Sequence, residues 1–326
     1  MNKRQSNFEL LRIICMIMVL ACHANGYVNE EDLVGSQGVI RVLINQFFLV
    51  CVNVFVMISG WFGIKASWKG AGKLLFQVVY IILLCAGASL LLGLPVSFKK
   101  DMLPYLLFGK GYWFVVAYLI LYTLSPILNA FIEHTGQKEY RNVLIAWLVV
   151  EFIYGFLLGS EYFFFGFSPL SFIGLYLLAR YARLYPGKWF SLGKGYDFAI
   201  YGALTLVSTV LFWFGYKVFG MGFHLNHYDS PFAILSSLYF LLTFSKMDIQ
   251  SKAINWLASS AFAIYLIHEN PVVSPWYHGL FLNLSTKFPS AIVYPLALGL
   301  ILIIGLVCIL VDKPREWLWV HLFQKQ

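Results

Sequence analysis

Arg12 and His23 stand eleven positions apart inside the first apolar stretch of this 326-residue chain. Ionisable side chains are costly in an apolar span, so two in one helix mark a candidate functional site. Eleven residues make about three turns, which places both on one helix face roughly 16 Å apart. A guanidinium in such a place can grip an anionic group. An imidazole can take a proton from a hydroxyl. Glu9, three residues before Arg12, is spaced to pair with it. The plainer alternatives are that Arg12 snorkels to the headgroups beside Glu9 and that His23 is hydrogen-bonding glue between helices.

Other polar residues recur inside apolar segments: Asn45, Gln46 and Asn53 in the second, Glu151 in the fifth, and His268, Glu269 and Asn270 at the end of the ninth. A carboxyl such as Glu151, without a cation, is expected to be protonated and bonded to a neighbour. His224, His227 and Asp229 fall in a short loop between Gly220 and Pro231, and no metal site is expected there. The five cysteines, Cys15, Cys22, Cys51, Cys85 and Cys308, show no CxxC spacing. Neither a metal nor a disulfide framework follows.

The elements that carry these residues are set by composition. The chain is 60% hydrophobic and 12% charged, with mean hydropathy +0.75, outside the range of water-soluble domains. Ten apolar segments, at approximately 8–28, 39–64, 71–94, 112–133, 141–159, 166–182, 197–220, 228–245, 252–275 and 291–311, are each about long enough to cross a bilayer. The fifth, sixth and eighth are interrupted by Glu151, Pro169 and Ser236–Ser237. Basic residues collect on the cytoplasmic side. With both termini inside, sixteen of the 23 Lys and Arg residues fall in cytoplasmic connections and six on the other side, Arg12 being the remaining one. An all-α, polytopic membrane protein of about ten helices is therefore predicted, with residues 1–326 forming one domain and no appended soluble domain. The net charge of +8 reads as a topology signal and not as a nucleic-acid surface. The outer connections at 95–111 and 276–290 are expected to be re-entrant or interfacial caps. Val19-Leu20-Ala21-Cys22 loosely resembles a lipoprotein cleavage box, but Glu9 and Arg12 break up the preceding apolar run.

Glu9-Leu10-Leu11-Arg12, leading through ten residues to His23, resembles the Arg-X10-His first helix of membrane acyltransferase family 3, the integral-membrane O-acyltransferases of bacterial surface glycans. Asn53-Val54-Phe55-Val56-Met57-Ile58-Ser59-Gly60, Tyr112-Trp113-Phe114, Ser125-Pro126-Ile127-Leu128 and Tyr265-Leu266-Ile267-His268 follow in the family's order. Lys69 and Lys73 stand where the family usually carries Arg-x-x-Arg, and a lysine holds phosphate as a point charge.

The resemblance implies transfer of an acyl group, commonly acetyl, from cytoplasmic acyl-CoA to a hydroxyl of a glycan or lipid-linked sugar. His23 would be the general base, and Arg12 with Lys69 and Lys73 would hold the donor. Glu9, Ser59, Trp113, Glu151 and His268 are supporting candidates, and Trp113 and Tyr118 could line the acceptor passage. Acetyl-CoA enters as a substrate, with no bound cofactor or metal. The setting implied is the bacterial cytoplasmic membrane and its lipids, reached without a cleaved signal. A transporter or flippase of a lipid-linked sugar, with Arg12 on a phosphate and His23 and Glu151 relaying protons, is the rival from another class. A sensor that kept the fold without the chemistry is a third.

Overall fold

The computed structural model describes residues 5–26, 36–95, 98–108, 111–220, 222 and 224–323. Among these every regular element is helical, the form in which an apolar segment bonds its own backbone when lipid offers no partner. In chain order they are α1 (Ser6–Gly26), α2 (Ser36–Phe48), α3 (Cys51–Phe62), α4 (Trp68–Leu91), α5 (Leu103–Phe108), α6 (Trp113–His134), α7 (Gln137–Val150), α8 (Pro169–Leu184), α9 (Lys194–Phe219), α10 (Pro231–Ser245), α11 (Lys252–Ala258), α12 (Phe262–His268), α13 (Ser274–Lys287) and α14 (Ser290–Phe323). Among the described residues, seven stretches are long and apolar enough to cross a membrane: Ser6–Gly26, Gly38–Phe62, Trp68–Leu91, Trp113–His134, Gln137–Leu157, Lys194–Phe219 and Ser290–Phe323.

Among the described residues all ten apolar segments contain helix, but five differ from a single full-length α-helix: the second divides between α2 and α3, and in the fifth α7 gives way at Glu151 to a π-helix over Glu151–Leu157. The sixth is α8, 16 residues long and starting at Pro169. Pro169 therefore does not interrupt the helix; a proline at the first position lacks only an N–H that would be unpaired anyway. Ser168 caps it by accepting the Ser171 amide. The eighth, α10, has 15 residues. The ninth is divided, because α11 ends at Ala258 and α12 begins at Phe262. The connections at 95–111 and 276–290 contain helix as well, namely a π-turn over Phe98–Met102 followed by α5, and α13.

α1 runs through the middle of the bundle, packed on α2, α3 and α10 to α14, and its Leu11, Cys15 and Leu20 are fully buried. Small residues let the other helices approach, as membrane packing favours. A Cβ on Gly60 of α3 would lie 2.2 Å from the Tyr176 carbonyl of α8. α4 and α14 are tied by polar groups, since the Gln77 amide donates to Asp312 at 3.1 Å and Asp312 pairs with Arg315. The outer surface is apolar in return, with Leu90, Leu91, Val210 and Ile303 all exposed.

Candidate active site

α1 presents Met16, Val19 and His23 along one stripe to a cavity of about 250 Å³. Steps of three and four residues keep side chains on a single helix face. The same stripe carries Arg12 one turn before Met16. Phe55 of α3, Phe114 of α6 and Phe262 of α12 make the cavity's sides apolar, while Trp113, Asn45, Asn226 and His227 lie at polar or aromatic margins.

The break between α11 and α12 brings a second imidazole against the first. His268 Nδ1 lies 2.6 Å from the Ile264 carbonyl, which can only accept, so that nitrogen carries the proton. His268 Nε2 is then a lone pair, 2.9 Å from His23 Nδ1. Glu269 Oε1 lies 2.7 Å from the same His23 nitrogen. Two acceptors face one atom, so His23 Nδ1 must be the donor. In the neutral imidazole that leaves Nε2 as the lone pair, on a residue that lines the cavity. A carboxylate that fixes an imidazole's tautomer and steadies its charged form is the logic of an oriented general base.

Among the described residues, His23, His268 and Glu269 also form a group whose potential ligand atoms lie within 4.8 Å of one another. Ligands around tetrahedral zinc are separated by about 3.3 Å, given Zn–N bonds near 2.0 Å. The 2.7 and 2.9 Å separations are hydrogen-bond lengths, while His268 Nε2 and Glu269 Oε1 stand 3.4 Å apart, so the contacts to His23 have the lengths of a hydrogen-bonded cluster.

At the other end of α1, Glu9 Oε1 accepts from Arg12 at 2.8 Å. Phe8 packs on Trp61 and Phe62, with ring centroids 6.0 and 4.8 Å away. Arg180 and Arg183 both donate to the Trp61 carbonyl, at 3.1 and 2.6 Å. No described carboxylate lies within 4.0 Å of either guanidinium. Two arginines converging without an anion, beside the start of α1, make this end of the bundle strongly cationic.

An acyltransferase domain model matches residues 5–310. The chain belongs to acyltransferase family 3. No curated protein and no solved structure matches it. In this membrane acyltransferase, the residues singled out in sequence separate into three groups. His23, His268 and Trp113 meet at or beside the cavity. Arg12 with Glu9, and Ser59 bonded to Tyr118 at 2.9 Å, stand toward the cationic end of the acyltransferase. Lys69 and Lys73 are exposed at the start of α4, and Glu151 is buried away from the cavity, accepting from Ser171 at 2.6 Å.

Sequence reasoning misses three residues of the acyltransferase. Glu269 reads in sequence only as part of a polar helix end, although its adjacency to His268 is a signal. Arg180 and Arg183 read only as loop charge, yet they form an Arg-x-x-Arg pair one helical turn apart.

Proposed function

We propose that the protein transfers an acyl group, most naturally acetyl, from acyl-CoA to a hydroxyl of a glycan or lipid-linked sugar in the bacterial cytoplasmic membrane. The observation that carries this reading is the contact of His23 Nδ1 with both Glu269 and His268, which in the neutral imidazole leaves Nε2 as the lone pair of a residue on the wall of a largely apolar cavity. His23 Nε2 removes the proton of the sugar hydroxyl as its oxygen attacks the thioester carbonyl. The imidazolium that forms is steadied by Glu269 and returns the proton to the departing CoA sulfur. The carbon–sulfur bond breaks, an ester forms, and His23 is regenerated.

The donor's phosphates need fixed positive charge. Arg12, Arg180 and Arg183 supply it, with Lys69 and Lys73 as outlying charges, and the excess of basic loops supports a cytoplasmic position for that end. The stripe from Arg12 through Met16 to His23 gives the donor's pantetheine arm a track along α1. The transporter reading requires a relay between His23 and Glu151. Glu151 bonds Ser171 and is not among the cavity's lining residues, which favours acyl transfer.

Membranes from expressing cells, supplied with labelled acetyl-CoA and carrying their own glycan, test the reading. Wild type should label the glycan, while His23→Ala and Arg12→Ala at matched protein levels should not. A wild type that labels nothing overturns the acyl-transfer reading, and a fully active His23→Ala overturns its mechanism.

A further inference from the structure

A second cavity, of about 530 Å³, lies beside the first and is lined by Phe156, Leu157, Phe212, Gly222, His224, Asn226 and His227. Asn226 and His227 are the two described residues that line both cavities. They occupy the turn before α10, at the His23 end of α1 and three helical turns from Arg12.

The amide of Asn226 is oriented by a chain of constraints. Gln46 Nε2 donates to the Leu225 carbonyl at 3.1 Å, which fixes the nitrogen end of Gln46. Its oxygen end accepts from Ser208 at 3.0 Å. The same Gln46 nitrogen lies 2.7 Å from Asn226, and the Asn45 amide approaches the same atom at 3.4 Å. That atom of Asn226 must accept, so it is the oxygen, and the NH2 group points the other way. Among the described residues this NH2 meets no acceptor.

His224 Nδ1 lies 2.9 Å from the Phe156 carbonyl and donates to it, so in the neutral ring His224 Nε2 is the acceptor. His227 stacks on Phe165 with ring centroids 4.2 Å apart. Burial, reinforced by His224, pushes the His227 imidazole down to about 4, so it is neutral at physiological pH. The second cavity therefore offers one amide donor, one imidazole acceptor, aromatic faces and no charged residue among those described. A phosphate or carboxylate would find no lysine or arginine among its lining residues. A neutral polyol, with hydroxyls at its edge and C–H groups on its faces, is matched by all three features.

We propose that this second cavity is the entry vestibule for a neutral sugar acceptor and that Asn226 is the residue that positions it, its NH2 bonding a sugar oxygen as the attacking hydroxyl reaches His23. The inference rests on the acyl-transfer reading and adds a separate route for each substrate, the polyanionic donor from the Arg12 end and the neutral acceptor from the His224 end.

The test has one arm that needs no activity. In full-length protein with its native cysteines replaced by serine or alanine, Asn226→Cys in sealed right-side-out vesicles should react with a negatively charged, membrane-impermeant thiol reagent. If the introduced thiol stays unreactive until the vesicles are opened, the vestibule is overturned, whatever the protein's activity. The second arm is kinetic. Asn226→Ala should raise KM for solubilised native glycan about tenfold, the size of one lost hydrogen bond to a polar substrate, with KM for acetyl-CoA within about twofold. Equal changes in both KM values, or a loss confined to kcat, overturn the positioning role. If Asn226→Ala proves unstable, Asn226→Ser, which keeps a donor, should show an intermediate KM, and an unchanged KM overturns the role. A wild type that transfers no acetyl removes the underlying function and leaves the labelling result standing.

Discussion

At the residue scale, the site depends on an argument about one proton. In the proposed mechanism His23 can act as a base at Nε2 only while its Nδ1 carries the hydrogen, and two groups favour that: the Glu269 carboxylate at 2.7 Å and His268 Nε2 at 2.9 Å. Glu269→Gln keeps the shape but removes the charge that steadies the imidazolium, and its amide can turn a donor toward His23. Initial rates should show kcat falling by about 10²- to 10⁴-fold, the range seen when the orienting carboxylate of a His base is replaced. KM for acetyl-CoA should stay within about twofold, and a wild-type kcat would remove Glu269 from the relay. Arg12 and His23 are legible in sequence because two costly residues share one helix face. Glu269 is not, since its role exists only after α12 is broken from α11 and laid against α1. No spacing along the chain encodes that contact.

At the element scale, α8 shows how a helix can be visible in sequence while its purpose is not. Its apolar run is evident and Pro169 looks like a defect, whereas Pro169 and Ser168 form its start. Its other end carries Arg180 and Arg183, one turn apart on the face that meets the Trp61 carbonyl. Gly60 permits this, because α3 and α8 touch backbone to backbone there, so the cationic end is held by close packing rather than by a loop. Arg183 also lies over the Phe62 ring at 5.3 Å, a contact that restrains the side chain. Arg183→Ala should raise KM for acetyl-CoA about tenfold, as loss of a charge-assisted phosphate contact does, and leave KM for glycan unchanged. Steady-state kinetics with each substrate varied in turn would decide it; an unchanged acetyl-CoA KM would return the donor site to Lys69 and Lys73.

At the scale of the whole molecule, Arg12 of α1 and Arg180 and Arg183 of α8 gather toward one end of the bundle, while His23 of α1 meets His268 and Glu269 toward the other. The all-helical membrane fold is legible from composition alone. The number of clean spans is not, because length along the sequence does not show where a helix breaks at Ser259–Ala261 or stops at 15 residues in α10. The orientation expected from loop charge can be tested with single cysteines in intact cells. One at Lys65 should be shielded from an impermeant reagent and one at His224 should react; the reverse pattern would invert the protein. The first cavity carries a consequence of its own. Its walls are formed in large part by the rings of Phe55, Phe114 and Phe262. On the proposed acyl transfer these three rings are the surfaces nearest the acyl chain, so shaving one of them to alanine and comparing acyl-CoA donors of increasing length measures whether they set the chain the protein accepts.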